Sequence, residues 1–227
     1  MRTFARAADE FLHGRGRFAV GAPNAFQLAW LFLFVLLFGT FYGAVMGCFS
    51  GLAPGRWLQL VYSGVKVPML LLVTFCLCVP SFFVINSVAG LRADFGQALR
   101  AVVGTQACIT LVLASLAPVT GFFYLCTDNY DAALLFNGLM FAVASVTAQV
   151  IVRRYYTPLI RRNPRHRVML YVWFFFYVFV GIQMAWVLRP FEGAPNWPVT
   201  FFREDAWGNA YEVIARLFAG FFRDLSR

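Results

Sequence analysis

Five long apolar runs dominate the chain between residues 25 and 188. Each is close to or longer than the ~20 residues that an α-helix needs to cross a hydrocarbon core of about 30 Å. Asp, Glu and His are missing from all five runs, and the few basic residues, Lys66 among them, lie near a run's end. The runs cover residues 25–49, 63–89, 97–125, 132–156 and 168–188.

This pattern predicts an all-α protein: a polytopic membrane helical bundle with about five transmembrane helices and amphipathic helices at both termini. Residues 1–24 form the N-terminal amphipathic segment, residues 25–188 the bundle, and residues 189–227 a loop followed by an interfacial helix. Hydrophobic residues make up 61% of the chain, which exceeds the apolar share of soluble domains and leaves no room for a separate soluble domain.

The segment after the last run falls into two parts. Pro190, Pro195 and Pro198 exclude a helix just after the last run, so we expect an ordered loop there. Farther on, large apolar residues recur at steps of three and four, which is typical of an amphipathic helix. Its apolar face could lie in the membrane interface or bind a partner protein. This face consists of Trp207, Tyr211, Ile214, Phe218 and Phe221.

Arginine in the short loops predicts the orientation. Basic residues concentrate in the cytoplasmic loops of membrane proteins. The loop between the fourth and fifth runs is rich in arginine, whereas residues 126–131 contain none. We therefore expect a cytoplasmic N-terminus and an extracytoplasmic C-terminus. Arginine supplies 18 of the 19 basic residues, which resembles the codon usage of a GC-rich bacterial genome, so we expect a bacterial inner membrane. The predicted cytoplasmic anchors are Arg153, Arg154, Arg161, Arg162, Arg165 and Arg167.

A net charge of +9 would suggest nucleic acid in a soluble protein. Here the same arginines are better explained as membrane anchors, so we expect no nucleic-acid partner. The expected partners are the lipid bilayer and other membrane protein subunits, or further copies of this chain.

Glycine occupies every fourth position through the second half of the first run, at Gly39, Gly43, Gly47 and Gly51. This glycine zipper lines one face of a helix with hydrogen atoms only, so that another helix can approach closely. The approaching helix could belong to the same bundle or to a second copy, and the sequence leaves both alternatives open.

Polar side chains within the runs suggest packing more than chemistry. Uncharged amides such as Gln106 and Asn137 commonly form hydrogen bonds between membrane helices, and lining a polar pore is the alternative. Lys66 lies a few residues inside its run, so we expect its amine to extend to the extracytoplasmic headgroups. A role as the counter-charge of a substrate is the alternative.

The residues that membrane catalysis and coupled transport use are missing from the runs. His13 and His166 both fall outside them, so paired haem or zinc ligation has no support. Without carboxylates, the proton relay of pumps is missing as well. We expect a protein that is not an enzyme and needs no cofactor or metal.

One stretch resembles a known family. Gly90 to Arg100 read Gly-Leu-Arg-Ala-Asp-Phe-Gly-Gln-Ala-Leu-Arg and precede an apolar run with Pro118. This resembles the loop and third span of bacterial Ypt-interacting-protein (Yip) family members. The resemblance covers residues 90–118 of 227 and implies five spans, a cytoplasmic N-terminus and an outward C-terminus. The acidic and Tyr-Gly-Pro elements of eukaryotic members are missing, so their role with small GTPases is not implied.

The sequence therefore predicts a non-catalytic membrane protein that serves as a structural or accessory subunit of a membrane assembly. The alternative is an oligomeric pore or a transport component, in which the glycine face closes a ring and the amides line a path.

Overall fold

The computed structural model describes residues 2–13, 25–51, 55–193 and 197–203. Five of its helices are long and apolar enough to cross a membrane, which confirms the prediction of an all-α bundle. Within the described residues the α-helices are α1 (Arg2–His13), α2 (Ala25–Gly47), α3 (Trp57–Val88), α4 (Phe95–Cys126), α5 (Tyr130–Arg162) and α6 (Arg165–Leu188).

Helices α3, α4 and α5 are longer than the runs that predicted them. They contain 32, 32 and 33 residues, about 48–50 Å at 1.5 Å per residue. The apolar run marks only the part that hydrocarbon surrounds, whereas the helix continues until a residue stops it. Helix α5 ends where Asn163 turns extended ahead of Pro164, a position at which proline disfavours helix.

The bundle is closed on one side and open on another. Helix α2 lies between α3 and α4, and α5 packs along α4. Helix α6 packs mainly on α3 and touches α5 only slightly. The two last helices are joined by a tight turn at Asn163 and Pro164, yet a groove separates them along much of their length.

Helix α1 packs on the bundle. Its apolar face holds Ala7 and Phe11, both fully buried. The Phe11 ring lies 6.1 Å from the ring of Phe34 on α2, centroid to centroid. On α5, Arg154 donates a hydrogen bond from Nη1 to the Leu12 carbonyl at 2.6 Å. The apolar face of this predicted amphipathic segment therefore covers protein.

Candidate functional site

Three of the predicted glycines pack against α3. A Cβ atom on Gly39 would lie 3.3 Å from Cβ of Pro68, and one on Gly47 would lie 2.6 Å from Cα of Leu60. At Gly43 a Cβ atom would overlap the carbonyl oxygen of Ser63. The groove that these glycines form is filled by a helix of the same chain, so it offers no open face to a second copy.

The fourth glycine departs from the prediction. Helix α2 ends at Gly47, and Gly51 lies beyond the following turn with a φ of +87°. Among the described residues, nothing lies within 4 Å of a Cβ atom placed there. Because the helix stops first, Gly51 serves a left-handed turn and takes no part in the packing face.

The expectation for Lys66 is wrong. Its side chain is fully buried and does not extend to headgroups. The amine Nζ donates a hydrogen bond to the Pro190 carbonyl at 2.7 Å and lies 4.9 Å from the ring centroid of Phe201. The segment after α6 returns over this end of the bundle and covers the amine, which the position of Lys66 in its run could not reveal.

We call residues 189–193 the capping loop, because they close this end of the bundle against α3. Gln59 Nε2 donates to the Phe191 carbonyl at 3.0 Å, and the Ser63 hydroxyl donates to the same oxygen. Gly193 has a φ of +69°, and a Cβ atom there would lie 2.8 Å from the Gln59 side chain. We call this end of the bundle the loop end and the opposite one the arginine-rich end.

The capping loop also brings a carboxylate into the bundle. Glu192 is only 2% exposed, and its Oε1 accepts a hydrogen bond from Asn137 Nδ2 at 3.0 Å. Tyr42 in turn donates to Asn137 Oδ1 at 3.1 Å. This buried group escaped the sequence analysis because it lies after the last apolar run. A charged residue among prolines and aromatics was the only signal.

The surroundings of Glu192 make its carboxyl easier to protonate than an exposed one. Burial raises the pKa of this carboxyl to about 7. Its own backbone amide, Asn137 and the positive charges of Arg203 and Lys66 oppose that shift but do not cancel it. The second oxygen, Oε2, is buried and has no hydrogen-bond partner among the described residues.

A cavity of about 720 Å³ lies between α5 and α6, with α3 and α4 behind it. Side chains at its mouth, such as Leu134, Phe174 and Ile182, are apolar and exposed. They lie on two helices that are long and apolar enough to cross a membrane. In a bilayer this side of the cavity would face hydrocarbon.

Polar groups occupy two levels of this cavity. Farther from the capping loop, Thr74 and Gln106 line it, and Tyr177 donates to Gln106 Oε1. Gln106 Nε2 and Thr74 Oγ1 have no partner within the described part of the chain. The charged groups stand at the loop end: Asp131, Arg189, Glu192 and Arg203.

All six predicted anchors at the arginine-rich end are exposed. Arg162 lies 3.6 Å from Asp94, and Arg165 donates to the Ala89 carbonyl at 3.3 Å. His166 is fully buried beside them, with Nε2 3.1 Å from Asp94 Oδ2. Two of these arginines thus tie the loop before α4 to the turn between α5 and α6.

The predicted partner face of Trp207, Tyr211, Ile214, Phe218 and Phe221 lies outside the described residues. In the ranges that are described, no three His, Cys, Asp or Glu side chains come together as metal ligands. No family model, curated protein or solved structure matches the chain.

Proposed function

We propose that this integral membrane protein is non-catalytic and binds one amphiphilic molecule in the cavity between α5 and α6. The supporting observation is the cavity itself, which combines an apolar mouth with charged groups at one end. An amphiphile has the same division, with an apolar tail and a polar head. Its tail would enter from the bilayer, and its head would lie at the loop end.

The size of the cavity favours a slender occupant. Its volume of about 720 Å³ falls in the range of about 300–1,000 Å³ of small-molecule sites. A transmembrane helix about 10 Å across and 30 Å long would occupy roughly 2,400 Å³. A lipid chain therefore suits this space better than a helix of a partner protein.

The polar and charged groups that line the cavity are suited to binding the headgroup of an amphiphile. Amides and hydroxyls line the part farther from the capping loop, and two carboxyl groups and two guanidiniums line the loop end. Such groups orient a headgroup through hydrogen bonds and charge. In this proposal the protein serves as an accessory subunit that presents its amphiphile to a membrane assembly.

The proposal includes a location and an orientation. The arginine-rich end faces the cytoplasm of a bacterial cell, and the capping loop lies on the extracytoplasmic side of the inner membrane. The six exposed arginines at one end support this orientation. A reporter enzyme that is active only outside the cytoplasm should show activity when it is fused after Arg227. Activity of a reporter that works only in the cytoplasm, fused at the same position, would contradict the proposed orientation.

A role in transport is the second candidate, because the cavity extends along the membrane. On α5 its lining runs from Tyr130 to Val152, about 33 Å at 1.5 Å per residue. That length matches the hydrocarbon thickness of about 30 Å. An amphiphile could therefore move between leaflets along this groove, which a lipid-flipping assay in vesicles would detect.

Filling the groove tests the binding proposal. Gly138 lines the cavity, and a Cβ atom there meets nothing within 4 Å in the described structure. The Cβ atom of a Gly138→Phe variant should therefore meet no neighbour, and its ring should occupy part of the cavity. Gly121 on α4 is equally open but does not line the cavity, so Gly121→Phe is the matched control.

The measurement is native mass spectrometry of delipidated protein with added palmitoyl-oleoyl phosphatidylglycerol. We expect one tightly bound lipid for the unchanged protein and for Gly121→Phe, and at least a tenfold weaker affinity for Gly138→Phe. Equal binding by all three proteins would overturn the proposal.

A further inference from the structure

The charged end of the cavity contains two arginines held in place by aromatic rings. The Arg203 guanidinium lies 4.9 Å from the Trp197 ring centroid, and its Nη2 donates to the Tyr130 hydroxyl at 3.2 Å. The Arg189 guanidinium lies 3.2 Å from the Trp186 ring centroid. Aromatic stacking orients a guanidinium through the face of its plane and does not use the N–H groups at its edge as donors. Both arginines therefore line the cavity in orientations that the aromatic rings help to set, at the same end as Asp131 and Glu192.

Guanidinium groups pair well with phosphate, because their planar N–H groups match its oxygens. Arg203 also has a buried Nε that lacks a hydrogen-bond acceptor among the described residues. An anion between the two arginines would supply that acceptor. A headgroup without a phosphate would leave it unsatisfied, at a free-energy cost.

A hydrogen-bond acceptor, the Glu192 carboxyl group, lies at the same end of the cavity as the two arginines. Glu192 is 2% exposed, lines the cavity, and uses only Oε1 in the hydrogen bond to Asn137. Its Oε2 is buried without a partner in the described structure. A ligand with a hydroxyl or an amine beside its phosphate would donate to this oxygen. The buried carboxylate therefore selects for a donor, just as the arginines select for an anion.

We infer that the ligand is a phospholipid whose headgroup combines a phosphate, bound between Arg189 and Arg203, with a hydroxyl or amine that donates to Glu192. This inference rests on the proposed function, since it assigns the headgroup of the amphiphile in the same cavity. The deeper polar level around Thr74 and Gln106 carries no charge and is a poorer match for phosphate.

Four lipids with identical palmitoyl-oleoyl tails separate the two requirements. Phosphatidylglycerol and phosphatidylethanolamine carry a phosphate and a donor. Phosphatidylcholine carries a phosphate without a donor in its headgroup, and diacylglycerol carries a hydroxyl without a phosphate. In native mass spectrometry we expect at least one of the first two lipids to bind about tenfold more tightly than phosphatidylcholine and diacylglycerol. Equal affinities for all four would overturn the headgroup assignment.

Substitutions assign each requirement to a side chain. Arg203→Gln should remove the preference over diacylglycerol, and Glu192→Gln the preference over phosphatidylcholine. Arg161→Gln at the arginine-rich end should change neither preference. If these variants keep both preferences, the residue assignment is wrong.

The outcome also separates this inference from the proposed function. If all four lipids bind equally but Gly138→Phe abolishes their binding, the cavity binds amphiphiles and only the headgroup assignment fails. If Gly138→Phe changes nothing for any lipid, the proposed function itself fails.

Discussion

The two ends of the bundle treat charged side chains in opposite ways. At the loop end, Lys66 and Glu192 are almost completely buried and bind partners supplied by the chain itself. At the arginine-rich end, the six anchors remain exposed, and ion pairs such as Arg162 with Asp94 are reached by solvent. Exposed ion pairs contribute about 0–1 kcal/mol to stability, whereas hydrogen bonds to charged groups contribute about 1.5–3 kcal/mol.

The connections between helices explain this difference. The turn at Asn163 and Pro164 is too short to fold back over the arginine-rich end. The capping loop instead returns to α3 and brings Pro190, Phe191 and Glu192 over the polar side chains there. Whether a charged residue near a helix end anchors in headgroups or binds inside the protein thus depends on the loop above it.

The largest loss of stability should come from a substitution where α2 packs on α3 near the loop end. In Gly43→Leu the new side chain would collide with the backbone at Ser63, which lies beside the capping-loop contacts. Because the backbone of α3 cannot shift without breaking its own contacts, we expect the free energy of unfolding to fall by several kcal/mol and little protein to fold.

Size-exclusion chromatography in detergent would measure the folded fraction. Gly121→Leu on α4 is the control, because a Cβ atom there meets nothing within 4 Å in the described structure. A normally folded Gly43→Leu protein would show that α2 and α3 do not approach this closely.

The next largest effect is a dependence of stability on pH, caused by Glu192. Burial raises the pKa of Glu192 from 4.5 to about 7, so between these values the folded protein holds more protons than the unfolded chain. This contribution to stability is present below about pH 4.5 and is lost as the pH rises through 7. The loss is at most about 3 kcal/mol for this group.

Denaturation in sodium dodecyl sulfate at several pH values would test this dependence. We expect a Glu192→Gln variant, which cannot ionise, to lose most of the slope between about pH 5 and 7. An unchanged slope would mean that Glu192 is not buried as described.

A smaller effect, on local hydrogen exchange, should differ between the loop end and the arginine-rich end. Lys66→Met removes the donor to the Pro190 carbonyl, so we expect backbone hydrogen exchange in residues 189–193 to accelerate about tenfold, equivalent to ~1.4 kcal/mol. Arg161→Met at the arginine-rich end changes an exposed side chain and should leave exchange there unchanged. Equal responses at both ends would remove the contrast between them.

The sequence predicted the membrane bundle well because hydrocarbon imposes a simple rule on composition. Each apolar run corresponds to one of the helices α2 to α6. The glycine spacing predicted a close helix contact, but its partner could be found only from the packing of α2 on α3. Gly51 fits the same spacing, but the prediction that it belongs to the packing face is wrong, because a repeat in sequence does not show where a helix ends.

The candidate site could not be predicted in the same way. Lys66, Asn137 and Glu192 are far apart in sequence, and nothing in their local patterns places them at one end of the bundle. Their proximity depends on the path of the capping loop. The cavity depends on the sparse contact between α5 and α6, and neither helix shows that in its own sequence.

The most direct test locates the bound lipid. A phosphatidylglycerol with a photoreactive group on its acyl chain would be crosslinked to the protein in vesicles, and the labelled residues would be mapped. We expect labels on the cavity residues Leu134, Phe141 and Phe174 well above those on Leu135 and Phe175, which are exposed on the same helices but do not line the cavity. Equal labelling of both sets would contradict an amphiphile bound between α5 and α6.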